Sequence, residues 1–400
     1  MRKKITWFYY LIHILFWCGY AIIWSFTSVY LKACGYNSQI IGLVTGVGAM
    51  ISVLLQPVLA FLVEKSPHMN NSKNVVILQL LALGMAAMMM LRLPGIYTVA
   101  VLFMMVAALE ASLPSILSSI AMECVNEGLS INYGIARGLG AASFSVSSLF
   151  YGYAVSFWGE NCLMMLYIII CLLVVLSVIL FRQCYKKEMP IRKICKEEKK
   201  QKIADLSLLK KYTFLKYFLI SAVFLFMSHN IVCVFLPQII EHAGGDSSKL
   251  GIAIFIAAGV EFPVMSYFVR LSKKTAIDKL LVWSAIFFAI KSAIAMFAGN
   301  VALVYLAQFS QFGGFALFTP ASVYFINMAL KEEDRNVGQA LLGACTIGLG
   351  GTFGNVIGGM ILERAGLFAM VTVSTAFCIV GILLMIVCRS SYKKANLKNI

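Results

Sequence analysis

Twelve long apolar runs, each bounded by Pro, Gly, Asn or charge, dominate this chain of 400 residues. They fall at 7–31, 38–63, 74–92, 94–122, 133–158 and 160–184, and then at 213–241, 248–271, 277–298, 300–329, 336–362 and 366–389. A helix needs about 20 such residues to cross the hydrocarbon core of a bilayer. Lipid offers no hydrogen-bond partners, so a spanning segment must satisfy its backbone within a helix or a closed barrel. The period-2 alternation of barrel strands is absent. The expected fold class is therefore all-α integral membrane, with twelve transmembrane helices.

Charge usage agrees: only 12% of residues are charged and 61% are apolar, where a soluble domain carries about 25% charge. The spans and their loops fill the chain and leave no room for a soluble catalytic domain. No His-x-x-x-His, nucleophile elbow or acidic metal cluster stands on any loop, so an enzyme is disfavoured. Eleven cysteines without a C-x-x-C pair, mostly inside apolar runs, predict neither a metal site nor a disulfide framework. No cofactor is expected.

The net charge of +16 follows from topology and does not imply nucleic acid. With a cytoplasmic N-terminus, 27 of the 33 Lys and Arg fall on inside segments, and outside loops hold only Lys32, Arg92, Lys249 and Arg364. This asymmetry predicts that both termini are cytoplasmic, in a multi-pass protein of the plasma membrane. Met1-Arg2-Lys3-Lys4 looks like the start of a signal peptide, but the apolar run behind it is too long, which predicts a retained first helix.

The basic stretch 185–212 reads as a cytoplasmic linker between an N-terminal six-helix bundle, 1–184, and a C-terminal one, 213–400. The halves repeat. Asn132-Tyr133-Gly134-Ile135-Ala136 returns as Asn336-Val337-Gly338-Gln339-Ala340, and Pro57-Val58 returns as Pro263-Val264. Two six-helix repeats in parallel orientation are one architecture of secondary transporters.

Several motifs carry a family resemblance. Gly35-Tyr36, Gln56-Pro57 and Glu64-Lys65 around the second span, with Tyr133-Gly134-Ile135-Ala136-Arg137-Gly138 opening the fifth, resemble the major facilitator superfamily. Ser228-His229, Glu261 and Gly348-Leu349-Gly350-Gly351 narrow this to the branch of lactose permease-like symporters for oligosaccharides, nucleosides and aromatic acids. The resemblance covers nearly the whole chain and implies the major facilitator fold, a central polar cavity and alternating access. It also implies substrate roles for Arg137, Glu261 and Gln308, with Lys291 in place of an arginine and Gln311 in place of a histidine. Phe144 stands where a stacking tryptophan is usual, Ser119 where a carboxylate is usual, and Gly314 where the sugar permease of the branch has a coupling glutamate. Glu64, Lys65 and Arg270 match a conformational latch.

Ionisable side chains inside a span cost about 2.5–3.5 kcal/mol on insertion scales and mark a pathway by default. Here they are Glu110, Arg137, Glu261 and Lys291, two acids and two bases on four helices, which could pair in a water-filled cavity. Because Gln311 and Gly314 do not titrate, proton coupling is left to Glu261, Glu110 or His229. His13 reads as packing. Gly350, Gly354 and Gly358, like Gly134 and Gly138, form small faces for close helix contact.

The reading is a secondary active transporter of a small polar solute, an oligosaccharide or nucleoside, with a proton and the bilayer as expected partners and a monomer as the expected working unit. The alternatives are a proton-independent facilitator or exporter of the same fold, and a non-transporting scaffold or sensor.

Overall fold

The computed structural model describes residues 2–65, 70–91, 96–129, 131–188 and 208–397, and every regular element among them is helical. The first six long helices are α1 (Arg2–Ser25), α2 (Ser38–Lys65), α3 (Asn71–Met90), α4 (Ile96–Asn126), α5 (Tyr133–Trp158) and α6 (Cys162–Glu188). They are followed by α7 (Thr213–Val234), α8 (Ser247–Lys274), α9 (Ile277–Met296) and α10 (Val301–Ala329). Short continuations, Thr27–Ala33 and Leu236–His242, extend α1 and α7. Helix α10 is interrupted by a 3-10 turn at Ser310–Phe312. The last stretch starts at Glu332, passes a π-helical segment at Ala344–Gly350, and is divided by Gly366 (φ 81°) into α11 and α12.

Ten segments are long and apolar enough to cross a membrane; the last of them, Glu332–Ala395, holds both α11 and α12, and α5 lies outside the ten. Its 26 residues include Arg137 and are rich in Gly and Ser, which lowers its hydropathy without shortening it. Twelve crossing-length helices are thus present among the described residues. Of the expected linker, 189–207 lie outside the described residues.

Two compact units emerge, one of Met1–Tyr36 with Val47–Lys199 and one of Asn37–Gly46 with Lys200–Ile400. In the first, α1 packs on α5 and α6, and α3 on α4 and α6; in the second, α7 packs on α11 and α12, and α9 on α10 and α12. Lipid tails are as apolar as leucine, so such contacts rest on close packing and interhelical hydrogen bonds. Gly350, Gly354 and Gly358 fulfil the expected small face: a Cβ at Gly354 would lie 2.5 Å from the Met227 carbonyl oxygen of α7. In α5 the expectation is corrected at Gly134, where a Cβ would meet only its own cap, Asn132 Oδ1, at 3.2 Å. The close contact belongs to Gly140 instead. Hydroxyls tie α7, α9 and α12 together, with Ser228 and Ser374 sharing a 2.7 Å bond and Ser292 donating to Ser374 at 3.0 Å.

The turn after α1 and the turn after α7 are built alike. Gly35 (φ 89°) and Gly244 (φ 78°) both take the left-handed conformation, which a side chain disfavours. Two residues on, Asn37 accepts from Ile40 N at 3.0 Å and Asp246 from Lys249 N at 3.2 Å, each capping the next helix. The other repeated asparagines have diverged. Asn132 caps α5 by accepting from Ile135 N, whereas Asn336 lies inside a helix that already starts at Glu332.

Candidate functional site

In the first unit, α1 and α5 present matching stripes. His13, Trp17, Tyr20 and Trp24 on one, and Tyr133, Arg137, Gly140 and Phe144 on the other, follow the same spacing of four, three and four residues, which keeps each set on one helical face. The Arg137 guanidinium lies over the Trp17 ring, 4.1 Å from its centroid. Gly140 makes room for this: a Cβ there would fall 2.2 Å from Trp17 Cδ1. Trp17 also meets Tyr20 edge-on at 4.9 Å and Phe144 at 6.4 Å, while Tyr20 stacks on Trp24 at 5.8 Å and 16°. Phe144 is thus one wall of an aromatic cluster whose central ring, Trp17, sequence reasoning missed; the shared spacing of the two stripes was the available signal.

Two hydrogen bonds fix the register of this face, Ser143 Oγ to the Ile14 carbonyl at 3.1 Å and Tyr151 OH to the Cys18 carbonyl at 3.1 Å. Trp17 Nε1 is buried and has no hydrogen-bond partner among the described residues. His13 packs as expected: its Nε2 is 2.9 Å from Tyr9 OH, which donates to the Leu117 carbonyl. Ser119 is exposed and turns its hydroxyl back to the Ser115 carbonyl of its own helix at 3.0 Å.

Glu110 departs from expectation. It is 1% exposed, and its Oε1 accepts from Gln79 Nε2 of α3 at 2.9 Å and from Tyr167 OH of α6 at 2.5 Å. No Lys or Arg among the described residues lies within ion-pair distance. At Glu110, then, the pairing with a base is replaced by bonds from neutral donors. Gln79 and Tyr167 are visible in the sequence as polar groups inside apolar runs, but nothing there marks them as its partners.

In the second unit the charges do meet, through an amide. Lys291 Nζ of α9 donates to Gln311 Oε1 at 2.5 Å, and Gln311 Nε2 donates to Glu261 Oε1 of α8 at 2.8 Å. A glutamine suits this place because it offers an acceptor and a donor at one end. Lys291 Nζ is also 3.8 Å from Cys233 Sγ, and Cys233 lies 3.7 Å from His229 Nε2. The His229 ring stacks on Phe315 at 4.8 Å and 10°. Gln308 is 1% exposed, and its Nε2 is buried with no partner among the described residues.

Glu64 and Lys65 occupy the last turn of α2, and their side chains lie outside the described ones. Arg270 is exposed, 5.7 Å over the Tyr267 ring.

Bilayer-length helices, with polar and charged clusters buried in each of two units, define a multi-pass membrane protein, and the family match below makes it a transporter rather than an enzyme. The chain matches the family model described as MFS_1 like family over residues 6–373 and belongs to that family, within the major facilitator superfamily. Among curated proteins it is 27% identical to a maltose permease of Geobacillus stearothermophilus over 148 residues, which span 37% of this chain and 38% of that relative's length. Among solved structures it is similar to a mutant of the nucleoside transporter NupG, with a TM-score of 0.82 at 13% identity, covering 97% of this chain and 99% of the other. A mutant of the peptide transporter POT gives a TM-score of 0.76 at 11% identity, covering 98% and 95%. At such identities the structural likeness shows the fold alone.

Proposed function

We propose that this chain moves an oligosaccharide or nucleoside across the plasma membrane by alternating access, in symport with a proton. The observation that carries the reading is Arg137 held over Trp17, at the position where the branch motif has its substrate arginine. A guanidinium presents a planar fork of donors suited to hydroxyl pairs and carboxylates, and the rings of Trp17, Tyr20 and Phe144 offer apolar faces to a sugar or a base. Within the second unit, the Glu261–Gln311–Lys291 chain and Gln308 Nε2 form a separate set of acceptors and donors. Maltose and nucleosides, named for two similar proteins, are the first solutes to try. Both termini are proposed to be cytoplasmic and the working unit a monomer.

The test is thermal stabilisation of the purified protein by disaccharides, nucleosides and aromatic acids, repeated with Arg137→Ala. A ligand at one hundred times its dissociation constant adds about 2.7 kcal/mol. A hit lost in the variant supports the reading; a hit that survives it removes Arg137 from the site. A second reading, a proton-independent facilitator or exporter, is favoured by Gln311, which cannot titrate where the branch has a histidine. Alkalinisation of the medium on solute addition separates the two, because a facilitator produces none.

A further inference from the structure

The two intramembrane acids are in opposite situations. Glu261 is joined through the Gln311 amide to the Lys291 ammonium, so its negative charge is answered within one chain of hydrogen bonds. Glu110 has no such answer. Its Oε1 takes two neutral donors, Gln79 Nε2 and Tyr167 OH, while Oε2 is buried with no hydrogen-bond partner among the described residues. A carboxylate in that position leaves a buried charged oxygen without a protein donor, which is costly in a low-dielectric interior. A proton on Oε2 removes the charge and leaves both Oε1 bonds in place.

Among the described residues, the groups that face Glu110 are neutral side chains. From α3 the facing group is Gln79, from α6 Tyr167 with Cys171 one turn further, and from α1 Tyr20, within electrostatic reach of both Glu110 and Arg137. Tyr20 in turn lies against Trp17 and Phe144. Tyr20 thus lies against the ring that the guanidinium covers.

We propose that Glu110 is the proton-carrying group of this transporter: the carboxyl holds a proton on Oε2, and releasing it alters the Trp17–Arg137 face through Tyr20. On release the Oε2–H bond breaks, the proton passes to water, and the charge left on Glu110 acts on the Tyr20 hydroxyl. Glu261 keeps its link to Lys291 through Gln311 across the same change. This rests on the reading of proton symport, but its test needs no solute.

The experiment is a pH titration of the full chain in lipid bilayers, followed by infrared difference spectroscopy of the carboxylic-acid carbonyl stretch and by tryptophan emission. The expected result is a protonated-carboxyl band that disappears as pH rises, is missing in Glu110→Gln and persists in Glu261→Gln. Glu110→Asp, which keeps the group if the amide variant fails to fold, should keep the band with a displaced midpoint. The emission change should share the wild-type midpoint and be lost in Trp17→Phe. A band that survives Glu110→Gln, one lost in Glu261→Gln, or the absence of any titrating band overturns the proposal. So does a spectrum that ignores pH but responds to sodium in place of potassium, which would assign Oε2 to a metal cation. A negative solute panel with the expected titration would overturn the solute class and leave Glu110 standing.

Discussion

The first unit and the second solve the same problem, keeping polar chemistry inside a bilayer, by different means. The first holds Arg137 on an aromatic face and surrounds Glu110 with neutral donors; the second closes Lys291, Gln311 and Glu261 into a compensated chain. The backbone that carries these groups is still repeated, as the turns at Gly35 and Gly244 show. Duplicated helices can thus keep their turns and caps, which backbone geometry dictates, while their charged groups take separate routes. A charge in a span needs either a partner or a way to be lost, and the two units illustrate one each.

The largest effect that would test this contrast is expected at Lys291. Removing one member of a buried, bonded charge pair costs about 3–5 kcal/mol, so Lys291→Ala should lower the melting temperature strongly. Adding Glu261→Gln should recover much of the loss. If the second substitution deepens the loss, the two residues are not acting as a compensated chain. Gly140→Ala should come next. A Cβ pressed to 2.2 Å from the Trp17 ring should cost about 1–3 kcal/mol as overpacking and weaken Arg137-dependent solute stabilisation. Gly134→Ala, which has only its cap side chain nearby, should do neither. Equal effects at both glycines would mean that α5 as a whole, not the Trp17 contact, is sensitive.

The smallest effect belongs to an exposed tie outside the spans. Lys211 Nζ donates to Asp334 Oδ2 at 2.6 Å, and Tyr212 OH donates to the same oxygen at 2.8 Å. These bonds, the lysine's first, hold the Asp334 carboxyl below its usual value, and the carboxylate holds the Lys211 ammonium above its own. For Asp334 the stability gained is present above the ordinary carboxylate range and is lost as pH falls through the lowered value. The melting temperatures of the wild type and Asp334→Asn should therefore converge in acid and separate slightly near neutrality, less so at high salt because the pair is solvated.

Much of this was legible in the sequence. Spans, caps and the repeated prolines follow from hydropathy and from residues with strong local preferences, so Pro57 and Pro263 both fall inside long helices at matching places. The site was legible only in part. Arg137 and Glu261 announce themselves as charges in apolar runs, but which neutral group reaches a charge first is decided by helix packing. Gln79 and Tyr167 lie 31 and 57 residues from Glu110, and no spacing rule connects them. Trp17 was hidden for a different reason, since an aromatic residue in a membrane helix needs no explanation until Gly140 is seen to admit its ring.

Helix α5 carries the arginine, the glycine that seats Trp17, and five serines among its 26 residues, and it is absent from the ten segments whose hydropathy alone suffices for crossing. During synthesis such a segment is a poor candidate for leaving the translocon by itself. Its entry into lipid is best served by the earlier arrival of α1, whose Trp17 ring covers the guanidinium and whose Ile14 and Cys18 carbonyls receive its hydroxyls. The helix richest in chemistry is then the one whose birth depends most on a neighbour already in place.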